Sequence, residues 1–484
     1  MRALGLSPRG GIAEQGGSAT AGRSAQPRAA IDAERIGLRG RTLIVGLGKT
    51  GLSCARFLAG LGLPIAVTDS REQPPGLAAL RDELPGVALF VGGFDEAAFA
   101  RADQIIVSPG VSLREPLIAA ALANGTPVLG DIELFARCLD APVVAITGSN
   151  GKSTVTTLLG EMARAAGKHA RVGGNLGTPA LELLGDAVPD LYILELSSFQ
   201  LETTSSLNAR AAAVLNITPD HMDRYHDFNE YLSAKRRVYN GDGAMILNRD
   251  DSHVLACSDR SRRCVTFGLS EPAAAQYGLR QVAGQPWLAR GDDRLIGASE
   301  LRIAGLHNLS NALAALALGE AVGLPQAAML DVLRRFPGLP HRTQWVAEVD
   351  GVRYCNDSKG TNIGATIAAM RGLSASRDKP RSLVLIAGGL GKEQDFALLQ
   401  PVVAECAKAV VLIGRDAPLI ERALAGAAPI MHAADMYAAV SAARGVAGPG
   451  DTVLLSPACA SFDMFDGYEQ RGDMFVDAVR RLVR

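Results

Sequence analysis

Gly148-Ser149-Asn150-Gly151-Lys152-Ser153-Thr154 is a glycine-bounded loop that ends in a lysine and two hydroxyl residues. These residue types in this order suit a nucleotide triphosphate. Backbone N–H groups at a helix N-terminus face the phosphates, Lys152 adds a point charge, and a Ser153 or Thr154 hydroxyl can hold Mg²⁺. The strict phosphate-loop pattern has a further glycine where Ile146 stands, so this is a shorter variant, G-x-x-G-K-S-T. An ordinary turn with a chance Lys-Ser is the plain alternative. The flanks argue against it: 142–146 reads as a buried strand and 155–166 has helical spacing.

Other candidates sit at strand ends. Glu195 closes an apolar strand at 191–195, and His221 follows another at 211–217. A carboxylate with a neutral imidazole can hold Mg²⁺ or Mn²⁺ when phosphate oxygens and water complete the shell. Alone, His221 reads as a loop histidine and Glu195 as a solvated helix start; together, beside a phosphate loop, they favour a metal. Lys235, in Lys235-Arg236-Arg237, reads as part of a solvated basic helix face. Arg342 carries a planar fork suited to phosphate or carboxylate; the alternative is a surface ion pair of about 1 kcal/mol at most. Lys359 and Thr361 lie in a polar loop opening a helix and can capture a small carboxylate, and Lys392 in A-G-G-L-G-K is analogous.

These residues need elements that bring them to one place. Gly46-Leu47-Gly48-Lys49-Thr50-Gly51 is a complete G-x-G-x-x-G after a short strand, and a second strand ends in Asp69-Ser70-Arg71. That is a dinucleotide-type βαβ unit. A third strand at 104–107 leads into Ser108-Pro109-Gly110, again at the carboxyl edge, where open α/β sheets bind ligands. His307 to Asn311 caps a strongly apolar helix that runs to 321. Apolar strands at 382–387, 409–413 and 452–456, separated by helical sequence, form another open parallel sheet. The expected class is α/β in three domains: a Rossmann-like nucleotide-binding domain at 37–136, a phosphate-loop ATPase-like domain at 137–337 and a Rossmann-like domain at 338–484. Residues 1–36 are set apart as a disordered extension, since 1–30 is rich in Gly, Ser, Ala and Arg with Glu14 its only acid.

The chain has 484 residues, 20% charged, and a formal net charge of −1, which gives no argument for nucleic acid or anionic membranes. Seven cysteines without C-x-x-C pairs suggest reduced thiols. No apolar run approaches the ~18 residues that cross a bilayer.

The set T-G-S-N-G-K-S-T, G-G-N-L-G, E-L-S-S-F-Q-L-E, D-H-M-D-R-Y, G-L-H-N-L-S-N-A-L-A-A, L-P-H-R, N-D-S-K-G-T-N and L-L-S-P-A-C-A-S-F-D-M-F resembles the Mur ligases, in family order from about Leu43 onward. The glutamate-adding branch is indicated by E-L-S-S-F-Q-L-E, N-D-S-K-G-T-N and S-F-D-M-F-D-G-Y-E-Q-R-G. The resemblance implies an ATP-dependent amide ligase that phosphorylates the carboxylate of UDP-N-acetylmuramoyl-L-alanine and lets the amine of D-glutamate displace phosphate. By residue it gives Gly148, Asn150, Gly151, Lys152, Ser153, Thr154, Asn308, Arg342 and Asp357 to ATP. Ser153, Glu195 and His221 are given to Mg²⁺ (or Mn²⁺), with Lys235 as a carbamylated lysine whose new carboxylate bridges toward a second ion. Lys152, His221 and Lys235 are the implied catalytic set. The uridine-diphosphate site takes Leu47, Thr50, Asp69, Ser70, Arg71, Ser108 and Gly110, and the acceptor meets Asn175 and Ser197. The D-glutamate pocket takes Lys359, Thr361, Lys392, Ser461, Phe462 and Tyr468, where the family pattern has Phe at the last position. The expected form is a cytoplasmic monomer that closes its third domain on ligands. Two other readings compete: a folylpolyglutamate-synthetase-like glutamate ligase, which leaves the first βαβ domain unexplained, and an NAD-dependent oxidoreductase, which leaves the G-K-S-T loop unused.

Overall fold

The computed structural model describes residues 28–303, 305–374 and 380–482. Of the expected extension, residues 1–27 lie outside the described residues, whereas 28–36 are seated rather than free. Arg28 donates to Gly185 O at 3.0 Å and to the Tyr192 hydroxyl, and pairs with Asp140 at 3.1 Å. Ile36 and Leu38 are buried in the core shared by the first and second domains, a driving force that the composition of 1–30 does not reveal.

Three sheets follow in chain order. The first comprises β1 (Thr42–Val45), β2 (Ile65–Asp69), β3 (Ala88–Val91), β4 (Gln104–Val107) and β5 (Val128–Leu129). Its order is β3-β2-β1-β4-β5 and every pairing is parallel. β1 and β4 are wholly buried, as fits apolar strands covered on both faces by helices.

The central sheet has nine strands: β6 (Val143–Thr147), β7 (Ala170–Gly174), β8 (Leu191–Glu195), β9 (Ala211–Val214), β10 (Ala244–Asn248), β11 (Cys264–Phe267), β12 (Tyr277–Val282), β13 (Gln285–Arg290) and β14 (Asp293–Gly297). β6 lies between β8 and β9, so the phosphate loop, Glu195 and the 215–221 segment leave the same edge side by side. β12 to β14 extend the sheet as antiparallel hairpins, of which the sequence reading caught only the stretch around Trp287. The helix Leu306–Ala321 is buried nearly all round and packs with the phosphate-loop helix Lys152–Ala165 in one core. Its start differs from expectation: Gly305 precedes it, and His307 to Asn311 lie inside its first turns, with His307, Asn308, Ser310 and Asn311 facing the cleft and Leu309 in the core.

The third sheet runs β15-β16-β20-β17-β18-β19, from β15 (Gln344–Val349), β16 (Val352–Asn356), β17 (Leu383–Gly388), β18 (Ala407–Ile413), β19 (Ile430–His432) and β20 (Thr452–Leu455). It is parallel except for the β15–β16 hairpin at its edge. All seven cysteines are free thiols, and only Cys264 is exposed. Among the described residues, no helix is long and apolar enough to cross a membrane.

Candidate active site

The phosphate loop is held open by backbone geometry. Gly151 has φ +84°, and a Cβ there would lie 2.3 Å from Asn311 Oδ1. Only glycine meets both conditions. The loop is also tied from outside: Ser149 N donates to Asn216 O and Asn150 N to Asn216 Oδ1, at 2.9 and 2.8 Å. Lys152 Nζ folds back onto Gly148 O and Ser149 O at 2.8 and 2.9 Å. Burial lowers its pKa, partly opposed by Glu195 and Asp220.

Lys235 overturns its reading as a solvated face. It is 2% exposed, donates to Gly148 O at 3.0 Å, and its Nζ lies 4.7 Å from the centroid of the Tyr231 ring. The helix Phe228–Arg236 buries Tyr231, Ala234 and Lys235, while Arg236 and Arg237 face solvent. Burial first, and the charge of Lys152 second, push the amine well below the ordinary lysine value.

Glu195 is buried, and Asn175 Nδ2 donates to its Oε1 at 2.7 Å. Its Oε2 is buried with no hydrogen-bond partner among the described residues. An orphaned carboxylate oxygen normally costs about 1–3 kcal/mol, so it fits a cation at this point. His221 sits at φ +58° against the Phe199 ring, and burial lowers its pKa to about 4, leaving a neutral imidazole suited to a metal. Ser153 Oγ accepts from Arg342 Nη2 at 2.8 Å. Among the described residues no three His, Cys, Asp or Glu side chains cluster, so a divalent ion here would depend on ligand oxygens as well as on Glu195 and His221.

The third domain delivers the other cations to this edge. Besides Arg342 on Ser153, Lys392 Nζ lies 3.5 Å from Asp220 Oδ1. Lys359 Nζ lies 3.5 Å over the Tyr468 ring, and burial, then Arg342, lower it to about 8. Asp357 accepts from Ser456 Oγ at 2.7 Å and Thr343 N at 2.9 Å, and burial raises its carboxyl to about 6. A cavity of ≈ 260 Å³ lies between the domains, lined among others by Asn150, Thr154, Asn308, Arg342, Asp357 and Lys359. Thr361 is half-buried in the same loop and Ser461 is buried, but Phe462 is 71% exposed and is not gathered to the cleft.

A second cavity of ≈ 580 Å³ joins the first domain to the central one. Thr50, Asp69, Ser70, Arg71, Ser108, Gly110 and Asn175 line it. Leu47 does not: its side chain is buried, and its N–H is given to Asp69 Oδ2 at 2.6 Å. Burial pushes the Asp69 carboxyl up, but hydrogen bonds from Arg71 and Leu47 outweigh it and leave it below the ordinary value. Ser197 caps the short helix Ser198–Glu202, in a capping box whose Gln200 reaches the cavity wall.

Sequence reasoning missed Asp220 and Asn362 as site residues. Asp220 is 6% exposed, next to His221, and receives Lys392 and Asn362. Burial alone would raise its carboxyl; Lys392, His221 and Lys152 outweigh that and hold it low. The signal was available in D-H-M-D, where a carboxylate adjoins the candidate imidazole. Asn362 carried only the local signal of a helix N-cap, because its other side-chain partners, Asn150 and Asp220, lie in another domain.

Comparison with known proteins identifies the family. The family described as Mur ligase MurD-like, N-terminal domain matches residues 40–130, the Mur ligase middle domain 146–319, and the Mur ligase glutamate ligase domain 341–459. A UDP-N-acetylmuramoylalanine--D-glutamate ligase of Nitrosococcus oceani is 58% identical over 91% of this chain and 97% of its own length. One of Marinobacter nauticus is 54% identical over 91% and 98%. Among solved structures, UDP-N-acetylmuramate-alanine ligase MurC from Thermotoga maritima has a TM-score of 0.56 at 18% identity, covering 92% of this chain and all of its own. FolC of E. coli, in complex with DHPP and ADP, has 0.53 at 19%, covering 70% and 89%. With every domain matched in order and relatives this similar along nearly their whole length, the chain belongs to the Mur ligase family.

Proposed function

We propose that the chain joins D-glutamate to UDP-N-acetylmuramoyl-L-alanine at the expense of ATP, in the assembly of the cytoplasmic peptidoglycan precursor. The observation that carries the reading is the 2.8 Å hydrogen bond from Arg342 of the third domain to Ser153 of the phosphate loop. It supports one shared cleft in which a phosphoryl group and an incoming amino acid meet. The division at 37–136, 137–337 and 338–484 assigns one pocket to each substrate: UDP between the first and central domains, ATP on the central one, D-glutamate on the third.

In this reading Lys152 and Arg342 neutralise phosphoryl charge while the loop N–H groups orient ATP. The acceptor carboxylate attacks the γ-phosphorus and ADP leaves, giving an acyl phosphate. The amine of D-glutamate then adds to the acyl carbon and inorganic phosphate departs, leaving the amide. Ser153, Glu195 and His221, with Lys235 if carbamylated, would hold Mg²⁺ or Mn²⁺, which supplies charge neutralisation at the phosphates. Asn175 would orient the acceptor while fixing Glu195 through its amide. Lys359, Thr361, Lys392, Ser461 and Tyr468 hold the carboxylates of D-glutamate. Phe462 would have to swing inward to take part. The protein acts as a monomer in this account.

Phosphate release measured with ATP and UDP-N-acetylmuramoyl-L-alanine, against a panel of D- and L-amino acids, tests the reading. Release dependent on D-glutamate alone supports it, and release with folates and L-glutamate favours the folylpolyglutamate-type alternative. Absorbance at 340 nm changing with NAD(H) would favour an oxidoreductase. Lys359→Ala is expected to raise the KM for D-glutamate at least tenfold, as losing a charge-assisted contact of about 1.5–3 kcal/mol requires. The KM for ATP should change little, and equal effects on both would remove Lys359 from the amino-acid pocket.

A further inference from the structure

Asn362 opens the helix Ile363–Ser374 and is 3% exposed. Its amide uses every hydrogen-bonding position it has. Oδ1 accepts from Ala365 N at 2.8 Å, as an N-cap, and from Asn150 Nδ2 at 3.3 Å. Nδ2 donates to Asn150 Oδ1 at 3.2 Å and to Asp220 Oδ2 at 3.0 Å. One side chain therefore touches the phosphate loop, the carboxylate beside His221, and the loop that carries Lys359 and Thr361. A separate feature shows how close the domains come: a Cβ on Gly364 would lie 2.9 Å from Thr218 Oγ1. Lys392 grips the other oxygen of Asp220 at 3.5 Å.

We propose that Asn362 is a positioning residue that registers the third domain on the central one, fixing the distance between the amino-acid pocket and the activated carboxyl. Capping alone would need one of its four hydrogen bonds; the other three cross the domain boundary. Asn150 and Asp220 are the receiving groups, and Gly364 is the small residue that permits the approach. The inference rests on the single-cleft reading above, but its test uses saturating substrates and so does not depend on which side chain holds D-glutamate.

Asn362→Ser and Asn362→Asp both keep a good N-cap, so a purely structural role predicts equal melting temperatures and equal kcat. Registration predicts a different order. The Ser variant loses the reach to Asp220, and kcat falls by about 10²-fold, the usual cost of a misplacement near 1 Å. The Asp variant sets a carboxylate against Asp220 and falls further, with a scattering profile shifted toward a more extended particle. Gly364→Ala, which favours the helix, should lower kcat by wedging the interface. Wild-type kcat in the Ser variant, or an Asp variant as active as the Ser variant, overturns the proposal. If the Asn362 order holds but Lys359→Ala leaves the D-glutamate KM unchanged, the pocket assignment fails and the registration stands.

Discussion

Replacement of Lys152 by alanine is expected to lower ATP turnover by about 10³-fold, while affinity for UDP-N-acetylmuramoyl-L-alanine changes less than about threefold. The first figure follows from removing a preorganised positive group from a phosphoryl-transfer site, where single donors are worth about 10²–10³. Here the lysine also braces the loop through Gly148 O and Ser149 O, so both charge and loop shape are lost. The second figure follows from separation: the UDP cavity is lined by Gly48 to Thr50, 69–71 and 108–111 of the first domain and by Asn175 and Gln200 of the central one, whereas the Lys152 Nζ hydrogen bonds go to Gly148 O and Ser149 O, which do not line it. Calorimetric titration with each ligand checks the two independently. Loss of both affinities would contradict separate pockets.

Lys235→Ala should be nearly inactive, and a small added carboxylate such as acetate should restore part of the rate. The reasoning begins with the cost of burying an ammonium, several kcal/mol before any partner is counted. Lys152 nearby adds repulsion, and among the described residues the carbonyl of Gly148 is the one hydrogen-bond acceptor of the amine. The amine therefore loses its proton readily. A neutral amine would add to CO₂, forming an N–C bond and releasing a proton, and the resulting carbamate would turn a buried base into a carboxylate. The charge at 235 would then complement Lys152 instead of opposing it. Lys235→Arg, which stays charged and cannot be carbamylated, should be as inactive as the alanine variant. Rate measurements with and without acetate check the prediction; wild-type activity in Lys235→Ala would take the residue out of the site.

The strand-end residues were legible because a strand, a glycine and a polar residue are all local signals. Gly148 to Thr154, Glu195 and His221 were found that way, and they do leave adjacent strands β6, β8 and β9. Lys235 was misread for an equally local reason. The basic run Lys235-Arg236-Arg237 suggests a solvated face, but on a helix the first of the three lies four residues after Tyr231 and shares its buried side. The better signal was the apolar period Tyr231, Ala234, Val238, into which the lysine falls. β12 and β14, on either side of the strand around Trp287, escaped because short amphipathic strands with a two-residue Ala283-Gly284 turn carry little pattern beyond the turn itself. The contact of Asn362 with Asn150 spans 212 positions, and no single-sequence signal encodes it.

The distribution of thiols has a practical consequence. Six of the seven cysteines are enclosed in cores and only Cys264, on β11, meets solvent. The native chain should therefore take up one equivalent of a maleimide dye quickly and the remaining six only on denaturation. That offers a reporter on the central domain, placed without engineering, against which a second fluorophore on the third domain could time each catalytic cycle.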